Sequence, residues 1–262
     1  VKQIWSIAAT TLGEAIRRRV LLVILLVGVV FIAIAPGLGV LSARSETTVL
    51  RSMLLGIIQM TSAVIAVVLT VYMIPNEIER RTIYTILSKP VQRWQFLLGK
   101  YFGAVLSLAV MMALMTGVLC IAYWIQQGYN AQGLQDLLKA PVMFFVQMCL
   151  LAAIGLFFST FVSPLVNFFL SGGLYLLGST FSLLFQDMLA NPNAPGVAKM
   201  IATVVNVIVP NFAYYNIQNP IINPQVVIQD EFQNYVKIMA YGIAYIGALL
   251  VAGILIFDRR EV

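Results

Sequence analysis

The chain has 262 residues, 61% of them hydrophobic and only 10% charged, with 16 Lys and Arg against 10 Asp and Glu. A soluble domain carries about 45–50% apolar and about 25% charged residues, so this composition excludes a soluble globular protein. The net charge of +6 does not point to nucleic acid, because the basic residues stand at the ends of apolar runs and not on one polar face. The absence of histidine removes His-based zinc, haem and acid–base chemistry.

Apolar runs of about 20 residues recur along the chain, each long enough to cross about 30 Å of hydrocarbon as a helix. Backbone groups in lipid must pair internally, so the spans are expected to be helical. The fold class is therefore an all-α integral membrane protein, with residues 1–262 forming a single transmembrane domain. Cys120 and Cys149 lie inside apolar runs and read as small core residues, not as a disulfide or a metal site.

In chain order, residues 2–19 place Trp5, Ala8, Leu12, Ala15 and Ile16 at helical spacing, with Lys2, Ser6, Glu14 and Arg17 elsewhere. Residues 1–19 thus read as an amphipathic interfacial helix on the membrane surface. Arg17-Arg18-Arg19 and the apolar residues up to Ala33-Ile34-Ala35 also have the outline of a secretory signal. Pro36 directly after the cut and the length of the apolar stretch speak against it.

Six spans are expected, over residues 20–40, 53–74, 101–125, 141–162, 165–185 and 236–257. A short polar loop with Arg44, Glu46 and Arg51 joins the first two. A polar piece over 126–139, with Asp136 and the turn-prone Gly128, Asn130 and Gly133, precedes the fourth, and Ser163-Pro164 makes a tight turn before the fifth. The long connection 186–234 holds Pro192, Pro195, Pro210, Pro220 and Pro224. Its apolar run 197–209, containing Lys199, is too short to span and reads as a re-entrant or interfacial helix.

Six spans put both termini on one side. Eleven basic against five acidic residues then fall on that side, and five against five on the other. The basic excess marks the terminal side as cytoplasmic, in a multi-pass protein of the cell (inner) membrane. Counting 197–209 as a seventh span would put Arg259 and Arg260 outside, which that excess disfavours.

No catalytic motif is present. Gly99-Lys100 has Trp94 where a phosphate-binding loop needs its first glycine and Tyr101 where it needs Ser or Thr. The chain is expected to have no nucleotide-binding site of its own and to be no enzyme. Ion-coupled carriers usually keep an ionisable group within a span. None stands between residues 20 and 43, 52 and 76, 101 and 135, or 140 and 186. Energy for uphill transport would then enter from a cytoplasmic partner.

The surface available to that partner is residues 77–100, where Glu77, Glu79, Arg80, Arg81, Lys89, Arg93 and Lys100 gather between two membrane-length runs. Ile83, Ile86 and Leu87, on the helix-compatible run 82–88, suit a partner's groove. Glu77 and Glu79 are within reach of Arg80, Arg81 or Arg93, which would lock the bend. Lys89-Pro90 ends the run, and Arg93-Trp94 begins the return with an aromatic at the interface. A plain positive-inside loop is the simpler alternative.

Glu79-Arg80-Arg81-Thr82, Leu87-Ser88-Lys89-Pro90, Arg93 and Gly99-Lys100 resemble the loop between the second and third spans of type-2 ABC transporter permeases. The subgroup most resembled is the one linked with multi-copper-enzyme maturation, sodium efflux and antibiotic export. The N-terminal helix, the six spans, the outer short helix, Val209-Pro210-Asn211-Phe212 and the basic tail extend the resemblance over the whole chain. Many members have glycine before the threonine, where this chain has Arg81.

The resemblance implies the membrane subunit of an ATP-driven exporter, forming the translocation pathway by alternating access. It also implies that Glu77, Glu79, Arg80, Arg81, Thr82, Ile83, Ile86, Leu87, Pro90 and Arg93 belong to a cytoplasmic coupling helix touching a separate ABC ATPase. Two permeases, identical or different, would pair with two ATPases. ATP and Mg would sit on that partner, with no cofactor in this chain. From the residues alone, a non-transporting membrane scaffold or a partner-independent channel or carrier stays open.

Other features are weaker. Gly99 and Gly103, and Ala240, Ala244, Ala248 and Ala252, are small residues at four-residue spacing that permit close helix contact, within the subunit or between two. Gln59, Gln147, Asn167 and Asn206 are polar at membrane depth and suit either a pathway lining or interhelical hydrogen bonds. Phe212, Tyr214 and Tyr215 suit an interface belt. A mostly apolar set of spans favours lipids, amphiphilic drugs or peptides as cargo over small ions.

Overall fold

A computed structural model describes residues 2–39, 46–79, 92–127, 131–181, 188–189, 191, 195–216 and 230–259, and among these there is no strand. The helices are α1 (Lys2–Arg17), α2 (Arg19–Gly39), α3 (Glu46–Val71), α4 (Pro75–Glu79), α5 (Arg93–Gln127), α6 (Ala131–Ser159), α7 (Pro164–Leu176), α8 (Gly196–Ile208) and α9 (Glu231–Arg259). A π-helical turn, Leu177–Phe181, continues α7, and a 3₁₀ turn, Phe212–Tyr215, follows α8.

Five helices are long and apolar enough to cross a membrane: Arg19–Gly37, Leu50–Glu77, Arg93–Ile125, Gly133–Ser159 and Phe232–Arg259. The protein is a multi-pass membrane protein. The remaining expected span, 165–185, is present as α7 and its π turn, 13 and 5 residues long. Among the described residues five helices have full spanning length, so the expected count of six is not reached there; residues 182–185 of the expected fifth span lie outside the described residues. Helix α8, also 13 residues, is about 20 Å long at 1.5 Å per residue and too short to cross.

Helices α3, α5 and α6 form the centre, with α2 and α7 against α3, and α9 against α6 and α5. Residues 150–154 of α6, Leu-Leu-Ala-Ala-Ile, are all buried, as expected of a segment apolar on every side that is enclosed by other helices. In lipid there is little water to expel, so helices are held by close packing and interhelical hydrogen bonds. Gly28 of α2 shows the packing: a Cβ there would lie 2.6 Å from Thr61 Cγ2 on α3.

Two boundaries differ from the sequence reading. The fourth span was expected to begin at 141, after the polar piece 126–139, but α6 begins at Ala131 and runs through Pro141; Gly128 and Asn130 lie outside the described residues. Leu134 packs against the core while Leu137 and Ala140 are fully buried. A stripe at this spacing makes helix the lower-energy state, and Asp136 and Lys139, 3.1 Å apart, pair one turn apart on the polar side. Helix α5 starts at Arg93, eight residues before the expected span, and has 35 residues. At about 52 Å it exceeds the hydrocarbon thickness, so it extends past the hydrocarbon.

Helix α1 lies along the start of α5. A Cβ at Gly99 would stand 2.8 Å from Ile7 Cβ and 3.1 Å from Ile4 O, and one at Gly103 would stand 2.5 Å from Thr11 Cβ and 3.0 Å from Ala8 O. Both partners advance by four residues together, so the two helices run in the same direction. The Gly99 and Gly103 pair thus packs inside the subunit. Ala8, Thr11 and Ala15 form the buried stripe of α1, while Trp5 and Ile16 of the expected apolar face are exposed.

Candidate functional site

Arg93, Phe96 and Lys100 recur at i, i+3 and i+7 on α5, which places them on one helix face. Lys100 Nζ lies 2.6 Å from Glu77 Oε1 on α4, with the two side chains 4% and 11% exposed. Glu14 of α1 approaches the same ammonium at 4.0 Å, from a side chain 55% exposed. One turn earlier, Phe96 is fully buried and stacks on Phe257 of α9 with centroids 6.1 Å apart. The Lys100 ammonium is 5.8 Å from the Phe96 ring, within cation–π range.

Arg93, one turn further down, donates from Nη1 to the backbone carbonyls of Phe257 and Asp258, both at 3.1 Å. These carbonyls belong to the last turn of α9, where no intrahelical donor remains and a cation is favoured by the helix dipole. Close by, Ser159 Oγ at the end of α6 accepts from Ile74 N at 3.2 Å, fixing the turn between α3 and α4. The two ends of the segment 77–100 are therefore tied to each other through Glu77 and Lys100, and to α1 and α9 through Glu14 and the carbonyls of Phe257 and Asp258.

Among the contacts of the described residues, Glu77 meets Lys100 and Arg93 meets the end of α9, and the expected reach of Glu77 and Glu79 toward Arg80 or Arg81 falls on residues outside them. Lys100 takes the place beside Glu77 because it is two turns beyond Arg93 and level with that carboxylate. Glu79 lies at the end of α4. Arg80, Arg81, Thr82, Ile83, Ile86, Leu87 and Pro90 lie outside the described residues.

A second polar cluster occupies the other half of the bundle. Gln147 is fully buried and donates from Nε2 to Phe212 O at 3.1 Å, while accepting from Gln59 Nε2 at 3.3 Å. Tyr175 and Phe212 pack with centroids 5.4 Å apart. Asn211 N donates to Tyr241 Oη at 3.1 Å and its Oδ1 accepts from Ala213 N at 3.0 Å. Tyr215 Oη donates to Ile238 O at 3.4 Å. Glycines make room for the insert: a Cβ at Gly178 would lie 2.5 Å from Pro210 O, and one at Gly242 would meet Tyr215 Oη.

Residues 209–216 are thus a polar-backboned plug held by α6, the π turn after α7, and α9. Phe212 and Tyr215 are fully buried in it, whereas an interface belt was expected, and only Tyr214 is exposed. Asn167 is fully buried as well, donating to Gly155 O at 2.9 Å and accepting from Ser171 Oγ at 2.8 Å. In this state Gln147 and Asn167 make interhelical and plug hydrogen bonds. The alanines separate from the glycines: Ala240, Ala244 and Ala248 are exposed and Ala252 half-buried, while α9 packs through Ile238, Gly242, Gly253 and Phe257.

Lys100 and Phe96 were not singled out as partners from sequence, although the 93/96/100 spacing would have joined them to Arg93 once helix was assumed. Phe257 and Asp258, some 160 residues away, left no such signal. A comparison with curated proteins gives no match. A family model described as ABC-2 family transporter protein matches residues 5–262, nearly the whole sequence, with its anchored segment and its apolar helices. The chain belongs to the ABC-2 family of transporter proteins.

Proposed function

We propose that this protein is the permease subunit of an ATP-driven ABC exporter and that residues 77–100 take up the motion of a separate cytoplasmic ATPase. The observation that carries this reading is the double anchorage of that segment, Glu77 to Lys100 at one level and Arg93 to the α9 terminus at the next. A loop that served only as a positive-inside signal would need neither contact. A push on residues 80–91 would pass into α4, α5 and α9 at once, and through Glu14 into α1.

In this reading Thr82, Ile83, Ile86 and Leu87 form the coupling helix that seats in the partner, with Glu79, Arg80, Arg81 and Pro90 framing it. ATP and Mg are bound by the partner. Two permease subunits enclose the pathway, and the alanine stripe left exposed on α9 supports close approach of a neighbouring helix. Both termini and the coupling segment are cytoplasmic, as the basic excess favours. Helix α1 lies at the cytoplasmic interface, exposing Trp5 and Ile16 toward lipid. ATP-driven closure of the partners tilts the spans and alternates access to a central cavity.

The test is reconstitution of the full chain with the ATPase encoded beside it, measuring substrate-stimulated ATP hydrolysis. Glu79→Ala and Leu87→Asp are expected to abolish the stimulation while the complex still assembles in the membrane. Unchanged stimulation in both variants would reject the site.

A further inference from the structure

Arg17, Arg18 and Arg19 stand side by side where α1 ends and α2 begins, with Arg18 outside both helices. Among the described residues none of the three guanidinium groups has an ion pair or a hydrogen bond; the only bonds at this point are backbone ones, Arg18 N to Ala15 O and Leu22 N to Arg18 O. Glu14, three and four residues before Arg17 and Arg18, is the acid that helical spacing would offer them. Its carboxylate instead leans toward Lys100, at 4.0 Å. Among the described residues, three adjacent cations are left without a counter-charge.

Their surroundings are apolar. Ile16 and Val20 flank them and are exposed by 44% and 62%, and the exposed face continues along α2 through Val23, Leu26 and Val27. A ligand for this junction must therefore be anionic at one end and apolar at the other, in register with a helix that crosses the membrane. Guanidinium forks match phosphate oxygens in bidentate geometry, and basic residues beside an apolar stripe are attracted to anionic lipid.

We propose that Arg17, Arg18 and Arg19 bind the headgroup of an anionic phospholipid, with its acyl chains along Val20, Val23 and Val27 of α2. Because Glu14 on the same helix approaches Lys100, a lipid held here also steadies α1 against α5. This site acts apart from the orienting effect of the three charges on topology and does not depend on the transport reading.

The experiment uses the purified full chain in detergent micelles doped with dioleoyl phosphatidylglycerol, dioleoyl phosphatidylcholine or free inorganic phosphate, reading the unfolding midpoint and the lipids retained in native mass spectrometry. Phosphatidylglycerol is expected to raise the midpoint and to be retained, with retention falling about fivefold for each arginine removed in R18Q and R17Q/R19Q. R17K/R18K/R19K, which keeps the charge and hence the topology signal but loses the bidentate fork, should retain less phosphatidylglycerol than the unaltered chain and more than the glutamine variants. High salt should weaken phosphatidylglycerol retention in the unaltered chain, a readout that holds even if the glutamine variants fail to fold. Equal retention of phosphatidylcholine, an equal shift with free phosphate alone, insensitivity to salt, or unchanged retention in folded glutamine variants would each overturn the site.

Discussion

The Lys100 ammonium lies 2.6 Å from the Glu77 carboxylate, both side chains nearly excluded from solvent, at the point where α4 leaves the bundle and the projecting part of α5 returns to it. Removing one partner of such a pair strands the other charge, at a cost of about 3–5 kcal/mol, whereas replacing both by apolar groups is often neutral. Glu14, at 4.0 Å and half-exposed, is too distant and too hydrated to substitute fully. Glu77→Gln is therefore expected to lower the denaturation midpoint of the chain in micelles sharply, and Glu77→Leu with Lys100→Met to restore most of it. Equal losses in the single and double variants would show that the pair itself is not what holds this junction.

Arg93 is the second anchor, and its loss should act at a distance in sequence. Arg93→Ala removes the two hydrogen bonds that Nη1 donates to the last carbonyls of α9, where a bond involving a charged group contributes about 1.5–3 kcal/mol. Amide hydrogen exchange is expected to rise in residues 254–259 while the centre of α6 stays protected. Unaltered exchange at the α9 terminus would argue against the anchor.

At Gly103 a side chain has nowhere to go, since a Cβ would fall 2.5 Å from Thr11 Cβ and 3.0 Å from the Ala8 carbonyl. Gly103→Leu is expected to separate α1 from α5 and to make α1 accessible to protease. Gly117→Ala, on the same helix with nothing within 4 Å of its Cβ, serves as the control and should be neutral or stabilising by up to about 1 kcal/mol. Protease resistance of α1 in both variants would contradict the packing.

How much of this was legible in the sequence follows from what each signal depends on. Span lengths and the exclusion of a soluble fold follow from composition, which lipid enforces directly. The return of the chain at Arg93 was legible from Trp94 beside it, but not that the helix itself begins there, because its first turns carry polar residues and hydropathy alone cannot see a helix continuing beyond the hydrocarbon. Gln147 could be flagged as polar at depth, but its role could not be chosen, because the partner is the carbonyl of Phe212 and a loop's path leaves no periodic trace. The contact of Arg93 with Phe257 and Asp258 was illegible for the same reason: a backbone carbonyl has no residue type.

Gln147→Leu tests the plug. It deletes a donor to the Phe212 carbonyl and an acceptor for Gln59 and leaves buried groups unmatched, at about 1–3 kcal/mol each. Hydrogen exchange is expected to increase at residues 211–216, with the Glu77 and Lys100 end unchanged. Gly178→Ala, whose Cβ would meet the Pro210 carbonyl at 2.5 Å, should produce the same pattern by a different route. Protection unchanged in both variants would mean that the plug is held by other contacts.

The coupling role of residues 77–100 is tested most directly by placing a photo-crosslinking residue at Leu87 in the full chain, in its own membranes, and identifying what it captures with and without ATP. Capture of a cytoplasmic protein that carries a phosphate-binding loop, with a yield that changes when ATP is added, is the expected result. Capture of lipid alone, or of a cytoplasmic protein without such a loop, would contradict it.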